Sequence, residues 1–133
     1  MRKGKKAEID AEKWLSKRGY SILYSHKGKA SNLPYDIVVK KGKTTIVFDV
    51  KSGKRPSISL DNFIKLLTLK PKDIKSKKKI NPINEVGYIF VVGKYFYLLT
   101  FNKKIYIARK AWAIKLKEGN KYWSQPHKIK IQR

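Results

Sequence analysis

The residues best suited to chemistry are two aspartates and a lysine set in apolar surroundings. Asp36 lies in Pro34-Tyr35-Asp36-Ile37-Val38-Val39, and Asp49 and Lys51 lie in Ile46-Val47-Phe48-Asp49-Val50-Lys51. Both stretches read as strands joined by a short basic turn. Strand side chains alternate between faces, so Asp49 and Lys51 point the same way. If the hairpin turns at Gly42-Lys43, Asp36 lies directly opposite Asp49. If it turns at Lys41-Gly42, Asp36 is offset by two residues but keeps the face, whereas a three-residue loop would break this parity. Two like charges side by side on an apolar face destabilise a sheet, and carboxylates are rarely buried unless paired or bound to metal. A divalent cation would remove the conflict, and oxygen donors of this kind suit magnesium. The competing reading is an exposed turn aspartate and a surface Asp49–Lys51 ion pair. The apolar flanks and the shared face weigh against it.

A third acid must come from elsewhere in the chain, and the first helix offers two. Residues 4–18 place Ala7, Ala11, Trp14 and Leu15 at i, i+4, i+7 and i+8, one apolar stripe, with Gly19 as a stop. Glu8 and Glu12 sit one turn apart on a neighbouring face. They are either solvated partners of Lys5, Lys13 or Lys17, or a source of one more carboxylate for the strand pair. Three of the nine acidic residues are concentrated in this helix.

The 33 basic residues against nine acidic ones give a formal charge of +24. Such a field favours a polyanion, nucleic acid before an anionic membrane surface. Against the membrane, the chain has no unbroken span of about 20 apolar residues and no lipid-facing amphipathic helix of the usual kind. Its 133 residues suffice for one domain with a real core. Without cysteine there is neither disulfide nor thiolate metal site. The basic start, Met1-Arg2-Lys3-Gly4-Lys5-Lys6, runs into Glu8, Asp10 and Glu12 rather than an apolar core, so it does not read as a signal peptide. These features suggest a cytoplasmic, DNA-associated protein. His26 and His127 stand isolated in the sequence and read as surface residues.

The remaining pattern supplies the scaffold. Residues 20–24 read as a first strand. The polar loop 25–32 is placed either to hold a phosphate backbone with Lys27 and Lys29 or to serve as a plain connection. After the turn-like Ser52-Gly53-Lys54-Arg55-Pro56, Ser59 can cap a helix with Leu60, Phe63, Ile64 and Leu67 as its buried stripe, ended by Pro71. Residues 70–84, lysine-rich over 70–79, have little to bury and read as a loop or partly mobile arm. Residues 86–92 and 95–101 form a hairpin around Gly93-Lys94. A strand at 105–108 and a helix at 109–117 follow. The tail, with Tyr122, Trp123, Ile129 and Ile131, forms an edge strand or a dimer contact. Tyr88, Tyr95, Phe96, Tyr97 and Tyr106 could stack on bases, although aromatics in strands more often belong to a core. The order implies an α/β fold with a mixed central sheet flanked by helices.

With these residues in view, the chain resembles a known family. Lys3-Gly4-Lys5-Lys6-Ala7-Glu8, Arg18-Gly19-Tyr20, Leu33-Pro34-Tyr35-Asp36-Ile37 and Asp49-Val50-Lys51-Ser52 resemble the archaeal Holliday junction resolvases of the Hjc/Hje type, a branch of the PD-(D/E)xK nuclease superfamily. The resemblance covers roughly residues 3–68. It implies a restriction-endonuclease-like fold and a single nuclease domain over 1–133, with its catalytic motifs within 4–68. In that family Glu8, Asp36 and Asp49 would bind Mg2+, for which Mn2+ would substitute. Lys51 would orient or activate the attacking water, and an assisting loop serine would fall on Ser31 or Ser25. A homodimer would place two sites on two strands of a four-way junction. Apart from the resemblance, the basic residues flanking these motifs, Lys5, Lys6, Lys27, Lys29, Lys54 and Arg55, are the candidate DNA contacts. Four positions depart from the family pattern: Asp49 replaces the more frequent glutamate, Ile9 and Tyr24 replace arginines, and Asn62 replaces a glutamine. The metal set is intact while the accessory positions differ, so nuclease chemistry is better supported than junction selectivity.

Overall fold

A computed structural model describes residues 3–26, 33–54, 56–76, 80, 82–102, 122–123 and 130–131. Helix α1 (Lys3–Lys17) buries Ala7, Ala11, Trp14 and Leu15, the stripe set by its sequence spacing. It closes in a Schellman motif: Tyr20 N–H donates to the Leu15 carbonyl at 3.1 Å and Gly19 N–H to that of Ser16 at 3.2 Å. The chain then enters β1 (Ser21–Ser25), which carries a bulge between Ile22 and Tyr24 where it pairs with β2 (Ile37–Lys41).

β2 turns into β3 (Thr44–Ser52) at Gly42-Lys43. Gly42 has φ of 61°, the left-handed conformation that a two-residue hairpin demands of its first turn residue. This is the first of the two registers allowed by the sequence. Ile37 pairs with Phe48, so one step further along the ladder Asp36 faces Asp49.

A crossover through β4 (Ile58–Ser59) and α2 (Leu60–Leu67) leads to β5 (Glu85–Val92), parallel to β3, and then to β6 (Tyr95–Asn102). The mixed sheet has the order β1-β2-β3-β5-β6-β8, where β8 (Lys130–Ile131) is an edge strand, the first of the two readings of the tail, pairing Ile131 with Phe96. β7 (Tyr122–Trp123) pairs with β4 in a separate ladder. α1 packs its core on one face through Phe48, Ile89 and Val91, and α2 packs on the other through Val47, Tyr88 and Phe90. The fold is the expected α/β arrangement of a mixed sheet with helices on its faces.

Two scaffold expectations need correction. Ser59 caps α2 as expected, accepting from Asn62 N–H, but the helix ends at Leu67 with Thr68 as its C-cap, before Pro71. Its buried side includes Phe63, Leu66 and Leu67, while Ile64 is only half-buried. Residues 70–84 are also not an idle arm. Ile74, Ile80 and Ile83 are buried in the α2-side core, and Tyr35 Oη donates to the Asp73 carbonyl and accepts from Lys75 N–H. The lysines conceal three core isoleucines spaced too irregularly to match a helix or a strand. The strand and helix expected at 105–108 and 109–117, with Tyr106, Ile129 and His127, lie outside the described residues.

Candidate active site

The site forms where β1, β2 and β3 meet the N-terminal half of α1. Asp36 enters β2 with its N–H donating to the Phe48 carbonyl at 2.8 Å. Its Oδ2 accepts from Val50 N–H at 2.7 Å, a short bond from a backbone amide that fixes the carboxylate against β3. Asp49 lies alongside, 8% exposed, with Oδ2 3.0 Å from Lys51 Nζ. Parity thus delivers Asp36, Asp49 and Lys51 to the α2 face of the sheet. Burial pushes the Asp49 carboxyl well above the usual carboxylate range, and Asp36, as hydrogen-bond partner and as like charge, pushes it further than Lys51 pulls it back. The competing reading, an exposed aspartate and a loose surface pair, does not fit this burial.

Glu8 comes from α1. One ligand atom each from Glu8, His26 and Asp36 lies within 4.8 Å of the others, and Glu8 Oε1 is shielded from solvent. Of the two helical glutamates, Glu8 joins Asp36, while Glu12 Oε2 accepts from Ser25 Oγ at 2.9 Å. Asp49 is joined to this group through Asp36. The four residues singled out in the sequence therefore form one continuous cluster, with Asp36 in its middle. Ser31, Lys27, Lys29 and Arg55 lie outside the described residues. Ser25 is engaged by Glu12, Lys5 is half-buried on α1, and Lys6 and Lys54 are exposed.

His26, which reads from the sequence as a surface residue, is instead buried in the site at 8% exposure. Its Nε2 is 2.7 Å from the Tyr35 carbonyl and 3.3 Å from Asp36 Oδ1, and its Nδ1 is 2.8 Å from Tyr24 Oη. A carbonyl only accepts, so Nε2 carries the proton and, in the neutral ring, Nδ1 accepts from the tyrosine hydroxyl. Both ring nitrogens are thereby used. His26 holds the Tyr35–Asp36 corner in place, and Tyr24 holds His26. The one available signal was parity: His26 follows β1 at the position that pairs with Asp36 once Ser25 pairs with Ile37.

A second support comes from below. Tyr88 Oη donates to Asn62 Oδ1 at 2.7 Å, and Asn62 Nδ2 donates to the Pro34 carbonyl at 3.4 Å. Asn62, a departure from the resolvase pattern, thus ties α2 to the corner that presents Asp36. Tyr88 pairs with Asp49 across β3 and β5, and its hydroxyl is pushed above the usual phenol range by burial and then by Asp49. Among the described residues, the group whose ligand atoms converge closely enough for a metal ion is Glu8, His26 and Asp36; Asp49 is not part of that group and adjoins it through Asp36. The carboxylate oxygens of Glu8 and Asp36 suit a hard ion, and positive charge beyond what Lys51 supplies would favour the ionised form of Asp49.

No protein-family model matches the chain. A UPF0102 protein of Kosmotoga olearia is 43% identical over 58 residues, a segment spanning 40% of this chain and 45% of that relative. The match therefore covers less than half of the relative's length. Among solved structures, the 1.6 Å structure of Hjc, a Holliday junction resolvase of the archaeal hyperthermophile Archaeoglobus fulgidus, aligns with a TM-score of 0.52. The alignment is 20% identical and covers 78% of this chain and 75% of that one, which shows a shared fold. Among the described residues, no helix is long and apolar enough to cross a membrane.

Proposed function

We propose that this protein is a metal-dependent, structure-selective DNA endonuclease of the Holliday junction resolvase kind, of the Hjc/Hje type, making paired nicks in four-way junctions. In this reading residues 1–133 form one nuclease domain that acts inside the cell as a homodimer. The observation that carries the proposal is the continuity of Glu8, Asp36, Asp49 and Lys51, set into a fold shared with a resolvase. The charge of +24 supports DNA as the partner.

Glu8, Asp36 and Asp49 would hold Mg2+, with Mn2+ able to replace it. The cation would supply charge neutralisation on the phosphoryl oxygens and lower the pKa of a bound water. The chain's own residues account for the rest. Val50 N–H and His26 orient Asp36, so its carboxylate is set before substrate arrives. Lys51, held at 3.0 Å by Asp49 and partly exposed, reaches from the buried acid toward solvent, where it can orient the attacking water and stabilise charge growing on the phosphate. The leaving 3′-oxygen takes a proton from solvent.

The test is incubation of a labelled four-way junction with and without Mg2+, with the cut positions mapped, beside the component duplexes. Symmetry-related paired nicks are expected, and they should be lost in Glu8→Gln and Asp49→Asn while junction binding persists. Metal-dependent cutting that survives in both variants would reject the assignment. A second reading, a nuclease of the same superfamily acting on linear, flap or single-stranded DNA, is favoured by Tyr24 and Asn62, which here serve the internal support of the site. Equal cutting of junction and duplex would select it. Binding without cutting in either metal would instead indicate a non-catalytic nucleic-acid-binding protein.

A further inference from the structure

α1 presents two different edges. Glu8 and Glu12 face β1, as the Glu12–Ser25 bond and the grouping of Glu8 with His26 show. Lys6, Asp10, Lys13 and Lys17 recur at i, i+4, i+7 and i+11, a stripe roughly half a turn away around the helix. This stripe borders a cleft of about 820 Å³ whose other bank carries Lys41 and the β5–β6 turn with Lys94. Trp14 and Phe96, stacked with centroids 5.1 Å apart, contribute to its lining.

Six cations line the cleft: Lys6, Lys13, Lys17, Arg18, Lys41 and Lys94. Asp10 is the single carboxylate among them, leaving five net positive charges. Two of the cations lie over aromatic rings. The Arg18 guanidinium lies 5.2 Å from the Trp14 ring centroid, and Lys41 Nζ lies 4.7 Å from that of Tyr20. Clustering like charges this way opposes folding unless an anion answers them. One phosphate group brings at most about two negative charges. A duplex backbone brings one charge for roughly every 1.7 Å of its axis and can meet all five.

We infer that this cleft is a second nucleic-acid backbone site, which holds a different DNA segment from the one at the acidic cluster. The inference rests on the reading of the protein as a DNA-branch nuclease. The cleft lies on the α1 face of the sheet while Asp36, Asp49 and Lys51 lie on the α2 face, so the sheet and α1, about 10 Å across with its side chains, stand between the two sites. A branched DNA can lay one arm on each side of them, whereas a short linear duplex engages one side.

The test is a salt titration of binding in metal-free buffer, using a four-way junction and a short linear duplex. The cleft variant is Lys13→Gln/Lys17→Gln/Lys94→Gln. A control variant, Lys65→Gln/Lys72→Gln/Lys75→Gln, removes equal charge from exposed positions outside the cleft. Each lost phosphate contact lowers the slope of log K against log salt by about 0.9, so the cleft variant should lose about 2–3 units on the junction. It should lose less than about one on the duplex, with the control changing both DNAs alike. Equal losses on both DNAs, or a loss on the junction no larger than the control's, would overturn the inference. Because binding is read without metal, failure here leaves the nicking result standing, and failure to nick leaves this result readable.

Discussion

Asp49→Asn should disable nicking and at the same time stabilise the metal-free protein. Asp49 is 8% exposed beside Asp36, and its compensating ammonium, Lys51, is about one-third exposed and therefore screened. An ion in such a setting carries an effective desolvation penalty of several kcal/mol, only part of which a partner returns. Asparagine keeps the shape, drops the charge and can donate to Asp36. The net gain should be about 1–3 kcal/mol at pH 8, which for a chain of this length corresponds to roughly 3–10 °C in melting temperature.

The pH dependence follows from the direction of the shift. The folded-state pKa of Asp49 lies above its unfolded value, so between the two the native protein keeps a proton that the unfolded chain has released. Stability conferred by that proton is present at low pH and is lost as pH rises through the folded pKa. The advantage of the Asp49→Asn variant over wild type should accordingly be full on the alkaline side and shrink toward zero near pH 4, about the ordinary carboxylate value. Thermal unfolding by circular dichroism in chelator, from pH 4 to 8.5, reads this directly. Adding Mg2+ should then reverse the order. Wild type gains about 2.7 kcal/mol at a hundred times its dissociation constant, and the variant gains little. A variant that melts at or below wild type at pH 8 without metal, or whose advantage is the same at pH 4, would refute the picture of a buried, like-charged pair.

Further outcomes follow from the same geometry. Tyr24→Phe removes the hydroxyl on His26 Nδ1 and should cost about 1 kcal/mol of stability; a several-fold drop in nicking turnover at saturating DNA is expected, with DNA affinity unchanged by filter binding. His26→Phe removes the ring N–H that faces the Tyr35 carbonyl and Asp36 Oδ1, leaving Val50 N–H on Asp36 Oδ2, and should lower metal affinity or turnover 10- to 100-fold. His26→Gln should recover part of that loss, and equal losses in the two would show that only bulk matters. Ile83→Ala, buried in the 70–84 segment, should cost about 2–4 kcal/mol by denaturant titration, where a merely solvated loop would show almost nothing. Gly87→Ala drives a Cβ into the Leu99 carbonyl oxygen across β5 and β6, and should destabilise the sheet by about 3 kcal/mol through forced strand separation.

The legible parts of the sequence were those governed by a simple period or a local rule. Alternation placed Asp36, Asp49 and Lys51 on one face, a two-residue turn set their register, and a 3.6-residue stripe with a glycine stop outlined α1. What escaped was set by long-range contact. Nothing local distinguishes His26 from a loop histidine, since its burial depends on Tyr24, Tyr35 and Asp36 arriving from different segments. Ile74, Ile80 and Ile83 sit among lysines with no regular spacing, and only the α2-side core makes a common face of them. Leu66 is not distinguished by spacing because Ile64 fits an ideal stripe equally well, and the sheet, not the helix, decides which is covered.

These successes and misses bear on where function sits. Through most of the described chain local preference and tertiary packing agree: caps, turns and strand alternation lead to the same fold. At Asp36 and Asp49 they conflict, because alternation delivers two carboxyls to a shared, largely covered position where packing would favour apolar side chains. Lys51 relieves that conflict only in part. Val50 N–H, His26, Tyr88 and Asn62 hold the acids and their flanking corner in place. A fold with only its own stability to serve would gain by losing one charge, as the Asp49→Asn variant should. Rigid support around an incompletely compensated pair is what a site needs if its missing positive charge arrives from solution, so metal-free instability and metal-dependent gain should appear together, in the same residue.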